Sequence, residues 1–385
     1  MKLDLFYEID VPRPWPGEFP HGQKAAEQQS YKEALEQIVL GDKLGFNTVW
    51  CVEHHFREGR SHMPTPEAVH GALSQITENI RLGFGVTLAP FNFTHPARIA
   101  EKVATVDVLS GGRVEWGLGR STPMEQLAFG VDADTSKAQL VEAAHIVSEM
   151  WTNEYFEYES ETFSMPRRMV TPKPFQDPHP PAWQAATSLG SSVDAGHNGF
   201  GLLSFSIMQP LKQMAQLINA YKEASKEAVP ATKTVNNRAA CYTLVHCVED
   251  EADLDKNRAW ESVWWWYKNI AEFTIEWELS HMPKEQADSL FPLLTQFASS
   301  EFGDAKLDPK LFNKYDMIMV GTPDQIVHKM KRYADCGVDQ LLCYKQFGFL
   351  PHDSVMKSME LLSEHVMPEI DGYVPDPSNN PALQD

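Results

Sequence analysis

What this chain has little of narrows it first. No window approaches the roughly 18 uninterrupted apolar residues of a membrane-spanning helix, so no membrane span is expected. Positive charge is short: 33 Lys and Arg against 53 Asp and Glu leave a formal net charge of −20. Such a surface repels phosphate backbones and anionic headgroups, which excludes nucleic acid and membrane as partners. Cysteine is scarce as well. The five cysteines (Cys51, Cys241, Cys247, Cys336, Cys343) are odd in number, lack a C-x-x-C spacing and sit in or beside apolar runs. Reduced core residues are therefore expected. There is no H-E-x-x-H, and adjacent histidines point in different directions, so no metal site is expected. No G-x-G-x-x-G follows a strand, which fits a chain that does not hold a dinucleotide in Rossmann fashion. The opening MKLDLFYEID puts acids where a signal peptide needs an apolar stretch, so a cytoplasmic location is expected. What is present is an ordinary globular composition, 43% hydrophobic and 22% charged over 385 residues, with room for a large core and small-molecule chemistry.

Strand-like apolar runs occupy residues 3–9, 48–52, 80–88, 114–118, 182–186, 201–203, 239–246 and 340–344. Helical patterns separate them. Ser30 with Glu33 reads as a capping box opening a helix that Gly45 closes, and Thr65-Pro66 suits the start of the next. Further helices are expected from Thr94 to Leu109, over 135–151, from Ser188, from Pro210 to Ala228, from Glu249 toward His281, from Thr322-Pro323 to Gly337 and from Asp353 to Val366. Eight strand–helix units predict a closed (β/α)8 barrel in preference to a doubly wound sheet. Residues 154–180, after the fourth strand, and 282–316, after the seventh, read as insertions. Residues 1–370 are expected to form one domain and 371–385 a flexible tail, disordered from Pro375.

In such a barrel, reactive residues belong at the C-terminal ends of strands. Glu53, His54 and His55 stand immediately after the second strand. A solvated loop with a histidine capping the next helix would also explain them, and position alone does not choose. The surrounding motifs do. The run W-C-V-E-H-H-F-R-E (Trp50–Glu58) closely resembles the segment that carries the catalytic histidine in the α subunit of bacterial luciferases. The likeness continues, in order, through T-H-P-A-R-I-A-E (Thr94–Glu101), V-D-V-L-S-G-G-R-V-E-W-G-L-G-R (Val106–Arg120), F-G-V-D (Phe129–Asp132) and V-G-T-P-D-Q-I (Val320–Ile326). On these motifs the chain resembles the luciferase-like flavin-dependent monooxygenase family.

That resemblance implies a TIM barrel using reduced FMN, supplied by a separate NAD(P)H-dependent flavin reductase. With dioxygen, through a flavin C4a-hydroperoxide, it would oxidise a small organic substrate. His54 matches the catalytic histidine, and imidazole suits proton transfer near neutral pH. His55 matches a neighbour that supports the subunit interface or local fold, and a homodimer is expected. Glu53 would lie beneath the flavin or orient its loop. Arg120 matches the phosphate-binding arginine, where a guanidinium fork is apt. Lys137 replaces a second arginine, keeping the charge but not the fork. Thr187, Ser188 and Ser191 open a helix suited to a phosphate at its N-terminus, with Thr187 standing where luciferases have glutamate. A non-proline cis peptide beside the flavin ring would fall near Gly85-Val86.

The sequence also departs from the luciferase pattern. Gly119 replaces a reactive cysteine, which is expected to enlarge space near the ring. Glu125 replaces an aspartate beside the flavin. In the aromatic run Trp264-Trp265-Trp266-Tyr267, Trp266 matches a luciferase tryptophan and is expected to face the substrate pocket. Residues 282–316 correspond to the family's mobile loop and are expected to be poorly ordered and to close over the flavin. Two other functions stay open: hydride transfer with a deazaflavin on the same fold, and a non-catalytic flavin-binding partner subunit. The substrate is not legible beyond an apolar organic molecule.

Overall fold

The structure is a computed structural model and describes residues 1–280, 282–290 and 292–383. Its strands, in chain order, are β1 (Lys2–Tyr7), β2 (Thr48–Cys51), β3 (Arg81–Leu88), β4 (Val114–Gly119), β5 (Phe156–Glu159), β6 (Ser164–Arg168), β7 (Ala182–Ala185), β8 (Gly201–Phe205), β9 (Ala239–Cys247), β10 (Met319–Gly321) and β11 (Gln340–Tyr344). Eight of them close a parallel barrel in the order β1-β2-β3-β4-β7-β8-β9-β11, with β11 returning to β1. The short β10 adds to the far end of β9, pairing Met319–Gly321 with Val245–Cys247. The closed (β/α)8 barrel is thus as the sequence predicts, and every residue of β2, β4 and β11 is buried. Barrel strands are covered on both faces, by the interior and by the helical ring, and this is why they read as unbroken apolar runs.

The lower end of the barrel is tied by buried carboxylates. Asp4 accepts from Trp50 Nε1 at 2.8 Å and Gln340 Nε2 at 2.7 Å. Glu115 accepts from Arg81, Arg238 and Trp183 Nε1. These bonds join strands distant in sequence and satisfy the indoles inside an apolar shell.

The helices are α1 (His21–Leu44), α2 (Pro66–Ile76), α3 (Pro96–Leu109), α4 (Pro123–Phe129), α5 (Ala133–Thr152), α6 (Leu189–His197), α7 (Leu211–Ala224), α8 (Ala252–Lys256), α9 (Ala259–Phe273), α10 (Lys284–Leu290), α11 (Pro292–Ser299), α12 (Lys310–Lys314), α13 (Pro323–Asp335), α14 (His352–Leu361) and α15 (Met367–Asp371). Gly45 closes α1 at φ 85°, as expected, but the capping box does not open it. The helix begins at His21, and Ser30 and Glu33 lie within it, where Glu33 accepts from Gln29 one turn back. The helix expected from Glu249 toward His281 is broken at Arg258, which adopts φ 57° between α8 and α9. A π-helical turn, Thr274–Glu278, follows α9, and His281 lies outside the described residues.

Insertions follow the fourth and seventh barrel strands. The first, expected over 154–180, carries the antiparallel β5–β6 hairpin and follows α4 and α5. The second, expected as a loop over 282–316, carries three short helices where it is described, α10, α11 and α12, with turns between α11 and α12. The segment expected as a flexible tail is tethered as far as it is described. Asp335 accepts from Tyr373 Oη at 2.8 Å, Asp376 N at 2.7 Å and Asn379 Nδ2 at 3.3 Å. All five cysteines are free and buried. Among the described residues no helix is long and apolar enough to cross a membrane.

Candidate active site

The C-terminal ends of the eight barrel strands surround a cavity of about 280 Å3. Glu53 and His54 reach it from beyond β2, Gly85 and Val86 from β3, Gly119 and Arg120 from β4, and Thr187 from beyond β7. Six residues expected at the site therefore share one wall: Glu53, His54, Val86, Gly119, Arg120 and Thr187.

Glu125 lies directly behind that wall, at the first turn of α4 and fully buried. His54 Nδ1 lies 3.1 Å from Glu125 Oε1, and the His55 N–H donates to the same oxygen at 2.5 Å. The Ser121 hydroxyl donates to Glu125 Oε2, as does the Thr122 hydroxyl at 2.9 Å. Burial alone would push this carboxyl up. The charge and hydrogen bond of His54, then Arg57 and Ser121, reverse that and hold it well below the usual carboxylate range. An ionised carboxylate can only accept, so His54 Nδ1 carries the proton between them. The nitrogen left for a bound molecule is Nε2. Ser121 reaches Glu125 from a left-handed backbone at φ 64°, a conformation that costs a non-glycine residue about 1–2 kcal/mol.

Glu53 is buried and joins two strand ends. It accepts from Leu88 N at 3.3 Å and faces Lys102 Nζ at 3.6 Å and His55 Nε2 at 3.7 Å. The Gly85–Val86 peptide is cis, the position the resemblance pointed to. Gly119 does not open space as expected. A Cβ built there would lie 2.3 Å from Val86 Cγ2, so the volume a cysteine would need is already filled by valine.

Beside Arg120 and Thr187 lie cationic and hydroxyl groups that do not themselves line the cavity: Lys137, Ser188 and Ser191. The Arg120 guanidinium is exposed and bonds Ser136 Oγ at 3.1 Å. Ser188 caps α6 in a capping box with Ser191, and both stand beside Thr187 at the helix opening. Lys137, more than half exposed, is ion-paired with Asp194 of α6. Trp266 is placed differently from the expectation. It is fully buried, lies 5.1 Å from the Arg60 guanidinium and lines neither this cavity nor the larger cleft beside it. Its neighbours Trp264 and Trp265 line that second cleft, of about 580 Å3.

Sequence reasoning missed a group of buried charges beside the site. Glu8, on the cavity wall past the end of β1, accepts from Arg60 at 2.7 Å through Oε1, while Oε2 has no partner among the described residues. Arg57 is buried between two carboxylates, 3.8 Å from Glu125 and 3.9 Å from Glu278. Asp10, which accepts from Tyr344 Oη at 2.8 Å, is pushed up to about 7 by burial and by the charge of Glu8. The rule that singled out His54, a polar residue at the C-terminal end of a barrel strand, applies equally to Glu8 and Asp10. Among the described residues, no group of three or more His, Cys, Asp or Glu could hold a metal ion.

A family model described as luciferase-like monooxygenase matches residues 16–340. The chain is 24% identical over 362 residues to the oxygenase component of a flavin-dependent trigonelline monooxygenase from Acinetobacter baylyi, covering 91% of this chain and 94% of that one. It is 25% identical over 356 residues to an F420-dependent glucose-6-phosphate dehydrogenase from Microbacterium testaceum, covering 91% and 96%. Among solved structures, it superposes on the oxygenating constituent of 3,6-diketocamphane monooxygenase from Pseudomonas putida, in complex with FMN. That match has a TM-score of 0.70 at 19% identity and covers 98% of this chain and 100% of the other, a likeness of fold.

Proposed function

This chain belongs to the luciferase-like monooxygenase family, and we propose that it is the oxygenase of a two-component system. It takes reduced FMN from a separate NAD(P)H-dependent reductase and uses dioxygen to oxidise a small organic substrate. The observation that carries this reading is the placement of His54. It stands on the wall of a barrel-mouth cavity with Nδ1 held by a buried carboxylate, and Arg120 stands at the same strand-end rim.

The residues present fit the cofactor. A cavity of about 280 Å3 lies near the lower edge of the roughly 300–1,000 Å3 typical of small-molecule sites. The exposed Arg120 fork and the Ser188 and Ser191 hydroxyls at the start of α6 form a donor set for a phosphate. Lys137 adds charge nearby, shared with Asp194. Reduced FMN, when bound, supplies the activation of dioxygen. The chain's own contribution is then to bind, orient and handle a proton. Glu125 fixes the His54 tautomer, so that Nε2 can give or take a proton at the reacting edge. Glu53 and the Gly85–Val86 peptide line the cavity beside His54, and Val86, Leu203 and Leu342 contribute apolar side chains around it. The Phe129 and Phe93 rings beside His55 offer the surface through which a homodimer forms.

Hydride transfer with a deazaflavin is the second reading, favoured by the F420-dependent relative of similar identity. Anaerobic titration with reduced FMN and with reduced F420, followed by mixing with oxygenated buffer, separates the two. Expected are stoichiometric binding of reduced FMN and flavin reoxidation slower than that of free flavin, a delay lost in His54→Ala. Binding of reduced F420 alone would refute the oxygenase reading.

A further inference from the structure

The larger cleft, of about 580 Å3, has a wall chemistry unlike that of the flavin cavity, and the proposed reaction does not use it. Three tryptophans and four phenylalanines line it, from α9, the π turn after it, the loop beyond β2 and the segments around 302 and 349. Several of these rings are open to solvent; Trp277 is 49% exposed and Phe302 50%. Five glutamates and two basic residues share the wall. Arg13 and Lys268 are already paired with Glu58 and Glu272, and Glu261 pairs with Arg258 outside the cleft. Glu276 and Glu301 have no cationic partner among the described residues. Polar capacity is also left over. Trp264, 7% exposed, has an indole N–H without an acceptor, and the Asn269 carbonyl oxygen has no donor.

Aromatic faces carry negative potential, and unpaired carboxylates add to it, so this wall attracts positive charge and repels anions. The carboxylates are dispersed among rings and form no cluster able to hold a metal ion. A compact inorganic cation would leave the aromatic area unused. We propose that this cleft is a second ligand site, separate from the flavin cavity, and that its ligand is a small organic cation. A quaternary ammonium or N-alkylated ring nitrogen would pack on the Trp265 and Trp277 faces, with Glu276 and Glu301 as counter-charges; the Trp264 face already carries Lys268, 5.3 Å from its centroid. A protonated amine could in addition use the Asn269 oxygen as acceptor.

The test uses choline as probe, its uncharged isostere 3,3-dimethylbutan-1-ol as control, and tryptophan fluorescence of the full chain as readout. Choline is expected to give saturable quenching, and the isostere to bind at least tenfold more weakly. Trp277→Ala removes an exposed ring, so folding is not at stake. It is expected to weaken choline binding about two- to thirtyfold, the range of one cation–π contact. Glu276→Gln should weaken it less, with a reduced salt dependence. FMN affinity should be unchanged in both variants, which keeps this result independent of the flavin reading. Equal binding of the two probes would overturn the proposal, as would an unaltered choline affinity in Trp277→Ala or competition between choline and FMN.

Discussion

Replacing Glu125 by Gln probes the centre of the proposed site with little change of shape. In the native protein one carboxylate serves His54 Nδ1, His55 N, and the Ser121 and Thr122 hydroxyls, with the Arg57 guanidinium 3.8 Å away. The amide keeps one acceptor oxygen, which can still serve the two histidine-side donors. Both hydroxyls can rotate to accept from the new NH2, so few groups are left orphaned. What is lost is the charge. A charge-assisted bond worth about 1.5–3 kcal/mol becomes a neutral one of about 0.5–1.5 kcal/mol, and Arg57 loses a counter-ion. A stability loss of about 1–3 kcal/mol at pH 7 follows, read by urea denaturation. The loss should depend on pH. The native Glu125 carboxyl is held below its unfolded value near about 4.3, so its contribution is complete above that pH and disappears as the pH falls through the native value. Wild type and variant should therefore begin to converge in stability as the pH falls below about 4. For the reaction, loss of the carboxylate charge that offsets positive charge developing on His54 should lower turnover by roughly a hundredfold or more with FMN binding retained. Equal stabilities at pH 7, or a gap that stays constant down to pH 3, would refute this account of the dyad.

Arg120→Ala should weaken FMN binding about ten- to a hundredfold while leaving riboflavin, which lacks the phosphate, nearly unaffected; equal losses for both ligands would place the phosphate elsewhere. Gly119→Ala should cost about 1–3 kcal/mol by overpacking against Val86, and Val86→Ala in the same chain should recover most of it, as thermal denaturation of the pair will report. Lys345 is fully buried, bonded among the described residues to Val245 O and Ser358 Oγ, and burial lowers it to about 8. Between that value and its unfolded value near about 10.4 the unfolded chain binds more protons, so stability should rise with pH across this window by up to about 3 kcal/mol. Lys345→Met should abolish the rise; a parallel pH profile in the variant would rule out Lys345 as its source.

The barrel was legible because its strands are enclosed on both faces and are therefore written in apolar residues. The start of α1 was not. Its first turns, HGQKAAEQQ, carry little apolar periodicity, so the capping signal at Ser30 stood out over a helix already under way. The insertion over 282–316 hid its short helices among prolines and acids. His54 could be read from its position after a strand, but Glu125 stands 71 residues away; the family resemblance placed it near the flavin without pairing it to His54. Which ring of the Trp264–Trp266 run meets solvent depends on how the helix is rotated about its axis. Each residue turns the face by about 100°, so one position of uncertainty moves a side chain from cleft to core. Gly119 misled for a related reason: the room a glycine leaves belongs to whichever neighbour reaches it, here Val86 across the strand pair.

Arg57 has one positive charge and two carboxylates to divide it between, Glu125 on the proton-handling side and Glu278 on the π turn that follows α9. A shared counter-ion makes two otherwise separate loops sense each other's position. If the turn moves away, the Arg57 side chain can shift towards Glu125; if it packs closer, the side chain is drawn the other way. By reciprocity, any ligand that changes the charge at the His54–Glu125 pair must alter, by the same free energy, how tightly the turn is held. Glu125→Gln and Glu278→Gln should accordingly be non-additive in a double-mutant cycle, and additive effects would mean that the two loops are deaf to one another.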